Sequence, residues 1–195
     1  MPGRKGRTRR PRESFAEKRE RLGGVDDPNV VVEAALRFLE ARARSIDEVR
    51  RRLRTAGYRP ELIDGAIDRL TALGILDDAA FAKAWVESRD RARPRGERAL
   101  RRELQVKGIE RTTVDGAMDD RRPDPGGPDD PDVAAAERLL ARNRHALERV
   151  TDPRARRQRA YAMLARHGFD SEIAARLAAS LVDDREVDVD SGRSL

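Results

Sequence analysis

Arginine is the residue type with the most chemistry to offer in this sequence. Its planar guanidinium is always charged and presents five donors in a fork that fits a phosphate or a carboxylate. Two runs concentrate it. VRRRLRTAGYR (49–59) sets Arg50, Arg51, Arg52 and Arg54 beside Val49 and Leu53, and RARPRGERALRRELQVKGIE (91–110) sets seven basic side chains around Leu100 and Leu104. Such runs suit a surface that grips phosphates or acidic protein without reading bases. The candidate partner-binding or DNA-binding residues are Arg50, Arg51, Arg54, Arg91, Arg93, Arg95, Arg98, Arg101, Arg102 and Lys107. They would form one ridge if the helices carrying them stack side by side. Plain solubilising charge on a helix face is the competing explanation for any one of them.

Other reactive types are sparse. There is no cysteine and there are two histidines, His145 and His167. His145 reads as part of a solvated helix face. His167, one residue before Gly168, suits a helix C-terminus, where a cation is favoured. No Gly-rich loop of the type that cradles a nucleotide is present. Asp77 and Asp78 are adjacent, so they point in different directions, and capping a helix start explains them. Phe81 and Trp85 lie on a stripe with Ala84 and Ser88 and read as core, not as a platform for stacked bases. The expectation is a protein with no catalytic residues, no cofactor and no metal, and not an enzyme.

The composition fits a binding protein made of small helical units. Of 195 residues, 38% are hydrophobic, 40% charged and 4% aromatic, which is too thin an apolar supply for one deep core. The formal net charge is +6, favouring a polyanionic partner. The absence of cysteine suits a reducing cytoplasm. No apolar run is long enough to span a membrane or to serve as a secretory leader.

The elements that must carry the arginines are written three times. Aligned on Gly57, Gly108 and Gly168, each copy has leucine four residues earlier (Leu53, Leu104, Leu164) and an apolar residue next (Tyr58, Ile109, Phe169). The glycine reads as a left-handed helix stop, and the following side chain folds back on the helix it ends. Apolar positions downstream recur at helical spacing, giving a second helix in each copy. A further amphipathic helix precedes each pair. Ser45 and Glu48 form a capping box in front of the first arginine run. No stretch alternates with period two, so no sheet is expected. The fold class is all-α: an elongated tandem array of three three-helix repeats, with a disordered basic N-terminal arm and an acidic C-terminal tail. The expected boundaries are 1–28 for the arm, 29–76, 77–122 and 132–182 for the repeats, 123–131 for a Pro/Gly/Asp linker and 183–195 for the tail.

The blocks LGILDDAAFAKAW (73–85) and GERALRRELQVKGI (96–109), with SIDEVRRRLRTAGY before them and RAYAMLARHGFD after, resemble the RecX family of regulatory proteins. The resemblance covers about residues 30 to 182 and is most specific in the middle repeat. It implies tandem three-helix repeats. It also implies a regulator that lodges in the groove of the RecA recombinase filament on single-stranded DNA and mainly inhibits it, in DNA repair, recombination and the SOS response. The implied partners are the RecA filament and DNA, single-stranded and double-stranded, met by a cytoplasmic monomer with no membrane association. The basic arm and the linker depart from the family pattern. A general DNA-binding helical protein with no filament partner is the alternative.

Overall fold

The computed structural model describes residues 13–121 and 130–190, and for 182–190 the backbone alone. Every regular element among the described residues is helical. The chain divides into two compact units, Met1–Asp77 and Asp78–Leu195.

The first unit contains α1 (Phe15–Gly23), α2 (Pro28–Leu39), α3 (Ile46–Ala56) and α4 (Pro60–Ala72). Local chemistry sets the starts. Ser45 accepts from the Glu48 N–H at 3.1 Å while Glu48 accepts from the Ser45 N–H at 3.2 Å, the reciprocal capping box expected before α3. Asp27 caps α2, with Pro28 at its first position, where the missing N–H costs nothing. Val31, Ala35, Val49, Leu53, Ile63 and Leu70 form the centre of the first apolar cluster.

Here the structure corrects the sequence reading. The basic arm was expected to be disordered to residue 28, but Phe15–Gly23 is a helix with its own capping box between Ser14 and Glu17. Leu22 is buried in the first cluster, which gives this polar segment something to fold onto. Residues 1–12 of the arm lie outside the described residues.

The second unit contains α5 (Asp78–Ala92), α6 (Glu97–Val106), α7 (Arg111–Arg121), α8 (Pro131–Arg142), α9 (Arg144–Glu148), α10 (Pro153–Arg166) and α11 (Ser171–Asp190). Helices α5 to α7 enclose Phe81, Ala82, Val86, Leu100, Leu104 and Val114. Helices α8 to α11 enclose a separate cluster that includes Ala136, Leu140, Ala160, Leu164 and Phe169. The stripe on α5 is turned from the expected one: Ala84 and Ser88 are exposed, and Ala82 and Val86 take their place inside. The short helix α9 was not foreseen in the third repeat. The acidic tail was expected to lose order after Leu181, yet α11 runs on to Asp190. Most of the expected linker, 123–129, lies outside the described residues, as do residue 122 before it and 191–195 of the tail; the linker's last residue, Pro131, is already the first of α8.

The three glycine turns share one geometry. Gly57, Gly108 and Gly168 have φ of 108°, 77° and 84°. A side chain at such angles would crowd its own backbone. The residue after each glycine donates its N–H to the carbonyl of the leucine five before it: Tyr58 to Leu53 at 3.3 Å, Ile109 to Leu104 at 3.2 Å, Phe169 to Leu164 at 3.3 Å. That bond turns the chain back, so Tyr58, Ile109 and Phe169 are all buried.

Candidate partner interface

On α3 the apolar face of Val49 and Leu53 is buried, and the arginines between them are left to the surface. Arg50 pairs with Asp64 of α4 at 3.4 Å and Arg51 with Asp47 one turn back at 2.9 Å. Arg54 is exposed. Arg44 and Arg52, neither of them in the candidate set, lie over the Phe38 ring at 4.4 and 5.6 Å.

On α6 the same logic buries Leu100 and Leu104 and turns the other side outward. Arg98 reaches Asp170, at the start of α11, at 2.7 Å. Arg101 bonds to Glu97 at 2.7 Å and also to Asp115 of α7. The Glu97 bond is the main reason its guanidinium pKa is raised, so it is a fixed cation. Arg102 is exposed. Arg91 and Arg93, at and just past the end of α5, are exposed as well, and Arg95 turns back to Glu103 at 3.6 Å.

Lys107 has a different setting. Its ammonium is 4.1 Å from the Trp85 ring centre and 5.4 Å from that of Phe81. Arg89 also lies 4.1 Å from the Trp85 centre and bonds to Glu103 at 2.7 Å, and Glu103 accepts from the indole N–H at 2.9 Å. Phe81 is buried and Trp85 half-buried, stacked with ring centres 6.0 Å apart. Two cations and a carboxylate already hold the indole, which agrees with a core role over a base-stacking one.

Lys107 apart, the candidates therefore fall into two sets. Arg54, Arg91, Arg93 and Arg102 are exposed, while Arg50, Arg51, Arg95, Arg98 and Arg101 are in ion pairs. Exposed pairs are worth about 0–1 kcal/mol, so a phosphate can replace the carboxylate in them at small cost. Arg98, two-thirds exposed, is of this kind. Arg101, tied at once to its own helix and to α7, is not.

Sequence reasoning missed the ion cluster that joins the second and third repeats. Arg121, at the end of α7, bonds to Asp90 of α5 at 2.8 and 2.9 Å and to Asp132 of α8 at 2.6 Å. Its side chain is 5% exposed and that of Asp132 2%. Asp132 accepts in addition from the Glu97 N–H at the start of α6, at 3.0 Å. Burial pushes the Asp132 carboxyl above its ordinary value, against the pull of the Glu97 N–H and of Arg121. Burial would lower the Arg121 guanidinium, but its bonds to Asp90 and the charge of Asp132 outweigh that and raise it. Arg121 is thus the fixed charge of the pair and Asp132 the member that titrates. Nearby, the Gly96 N–H donates to the His167 carbonyl at 3.0 Å, and a Cβ at Gly96 would collide with Gly168 and Phe169 backbone. Arg142 adds bonds to the carbonyls of Ala92 and Arg91 at 2.7 and 3.2 Å.

Comparison with known proteins bears directly on these repeats. Family models of the RecX first, second and third three-helix domains match residues 32–70, 77–118 and 130–177. "Regulatory protein RecX" of Mycobacterium ulcerans is 37% identical over 157 residues, covering 77% of this chain and 84% of the relative. The chain belongs to the RecX family. The protein of the same name from Thermobifida fusca is 35% identical over 155 residues, covering 80% of each chain. The crystal structure of RecX from Lactobacillus salivarius superposes with a TM-score of 0.65 at 23% identity, covering 81% of this chain and 97% of that one, which shows a shared fold. The three RecX domains correspond to α2–α4, α5–α7 and α8–α11, and α1 precedes the first of them. The relatives are named regulatory proteins, and the chain is a RecX-family regulator with tandem helical repeats. Among the described residues no helix is long and apolar enough to cross a membrane, and no group of three or more potential ligands could hold a metal ion.

Proposed function

We propose that this chain binds the filament of the RecA recombinase on single-stranded DNA and restrains its activity, acting in the cytoplasm as a monomer in DNA repair, recombination and the SOS response. Family membership across all three domains carries the reading, because a filament regulator of this family is what the sequence resembles. The arginines support it. In each of the first two repeats the helix that buries two apolar residues leaves basic side chains exposed, singly or in exchangeable surface pairs. Several such contacts along a filament add through effective concentration, so the polymer is favoured over a free protomer.

The test is RecA strand exchange and single-strand-dependent ATP hydrolysis with increasing amounts of the protein. Inhibition of both, with binding to preformed filament beyond binding to bare DNA, is expected. Unchanged rates at saturating protein would reject the reading. A steep loss of DNA binding with salt, with nothing added by the filament, would favour a DNA-binding protein without a filament partner.

A further inference from the structure

The sequence reading placed no partner-binding residue in the third repeat, yet one of its helices gathers several exposed arginines. Helix α10 contains five arginines and no acidic residue. One of them is structural: Arg156 is buried and donates twice to the Val150 carbonyl, at 3.0 and 2.9 Å, fixing the turn before the helix. The other four, Arg154, Arg157, Arg159 and Arg166, are exposed and have no carboxylate partner among the described residues. This contrasts with α6, where Arg98 and Arg101 are both paired.

The four arginines share the helix surface with Gln158 and with Tyr161, whose side is 39% exposed. Helical spacing puts Arg154, Arg157 and Tyr161 on one flank and Arg159 and Arg166 on the other, with Gln158 between them. Each flank is a shallow depression. The first is floored by Ala175 and Ala178 of α11, and the second by Ala155 and Ala162. Small residues keep these floors low, so an approaching chain meets the arginines and the tyrosine ring rather than a raised apolar ridge. From Arg154 to Arg166 the helix advances about 18 Å, enough for several successive phosphates.

We propose that this face of α10 binds single-stranded nucleic acid, the arginines holding successive phosphates and the Tyr161 ring stacking on an unpaired base. Charge alone would suit an acidic protein equally well. The exposed ring, with an amide beside it, decides for nucleic acid, since an aromatic face adds base stacking that an acidic peptide does not use. The site reads no sequence: phosphate contacts and stacking are open to every base. It does not depend on the filament reading, because it requires no recombinase.

The experiment measures binding of the whole protein to a fluorescently labelled oligothymidylate, without RecA, over a series of salt concentrations. Arg157→Gln, Arg159→Gln and Arg166→Gln combined should weaken binding at least about tenfold. Each phosphate contact removed should flatten the logarithmic salt slope by about 0.7. Tyr161→Leu should weaken binding by about fivefold or more and Tyr161→Phe should not, as expected of stacking. All these positions are exposed, and helical circular dichroism should be unchanged. Absence of binding by the unaltered protein at low salt would overturn the proposal, as would unchanged affinity and slope in the triple variant. So would competition by polyglutamate as effective as that by unlabelled oligonucleotide, together with indifference to Tyr161→Leu, which would mark an acidic-protein face.

Discussion

Asp132 is a buried carboxylate through which the third repeat meets two helices of the second. It takes Arg121 from α7 and the Glu97 N–H from α6, and it is itself in the first turn of α8. Removing one member of a buried pair leaves the other charge desolvated, which is the costly way to lose it. Asp132→Ala should therefore destabilise the second unit by about 3 kcal/mol in urea unfolding, with Asp90 still in place to limit the damage. The pH dependence has a definite sign. A folded-state pKa above the ordinary 3.8 means that the folded chain holds this proton more tightly than the unfolded one. The stability it contributes is full below that ordinary value and is lost as pH rises through the raised one. Titration of the Asp132 carboxyl carbon by NMR should accordingly show a midpoint above the ordinary 3.8. An ordinary or lowered midpoint would show that Arg121 dominates over burial.

At the scale of helices, α6 separates two uses of arginine that the sequence could not distinguish. Arg98 and Arg102 face outward, while Arg101 spans to α7 through Asp115. Replacing Arg98 and Arg102 by Ala should leave thermal unfolding nearly unchanged and weaken filament binding. Arg101→Ala should lower stability by about 1–2 kcal/mol, because two carboxylates lose their common partner. The helix pair at Gly96 offers a separate check. There the α6 start lies against the Gly168 turn so closely that one added methyl group meets backbone on the other side. Gly96→Ala should cost about 1–3 kcal/mol, read by loss of protection of the Gly96 and neighbouring amides in hydrogen exchange. These elements also show what was legible beforehand. Helix stops, caps and apolar stripes are local, and Gly57, Gly108, Gly168 and Ser45 announced them. The pairing of Arg98 with Asp170, 72 residues away, and of Arg121 with Asp90, 31 residues away, is set by tertiary packing. No spacing rule connects such residues. The arginines of α10 were passed over for another reason: the third copy is aligned on Leu164, Gly168 and Phe169, and Arg154, Arg157 and Arg159 precede those positions.

For the molecule as a whole, separate apolar clusters in two compact units imply separate stabilities. Leu53→Ala and Leu164→Ala each empty a fully buried site and should cost about 2–5 kcal/mol. Hydrogen exchange should assign the loss from the first to residues before Asp78 and the loss from the second to residues after it. A uniform loss throughout the chain would mean that it unfolds as one cooperative body. Helix α1 bears on the molecule in another way. The Gly168 turn of the third repeat receives the start of α6, with Ala99 so close that a Cβ on Gly168 would approach it to 2.5 Å. The Gly57 turn of the first repeat is approached by Arg19 of α1 in the same manner, with the Arg19 Cγ 2.5 Å from where a Cβ would stand. Helix α1 thus occupies on the first repeat the seat that an adjoining repeat occupies on the third. Stacked repeats need a polar-faced cap where the stack ends. With a short, charged helix in that place, the Gly57 turn is covered by a polar element of its own chain.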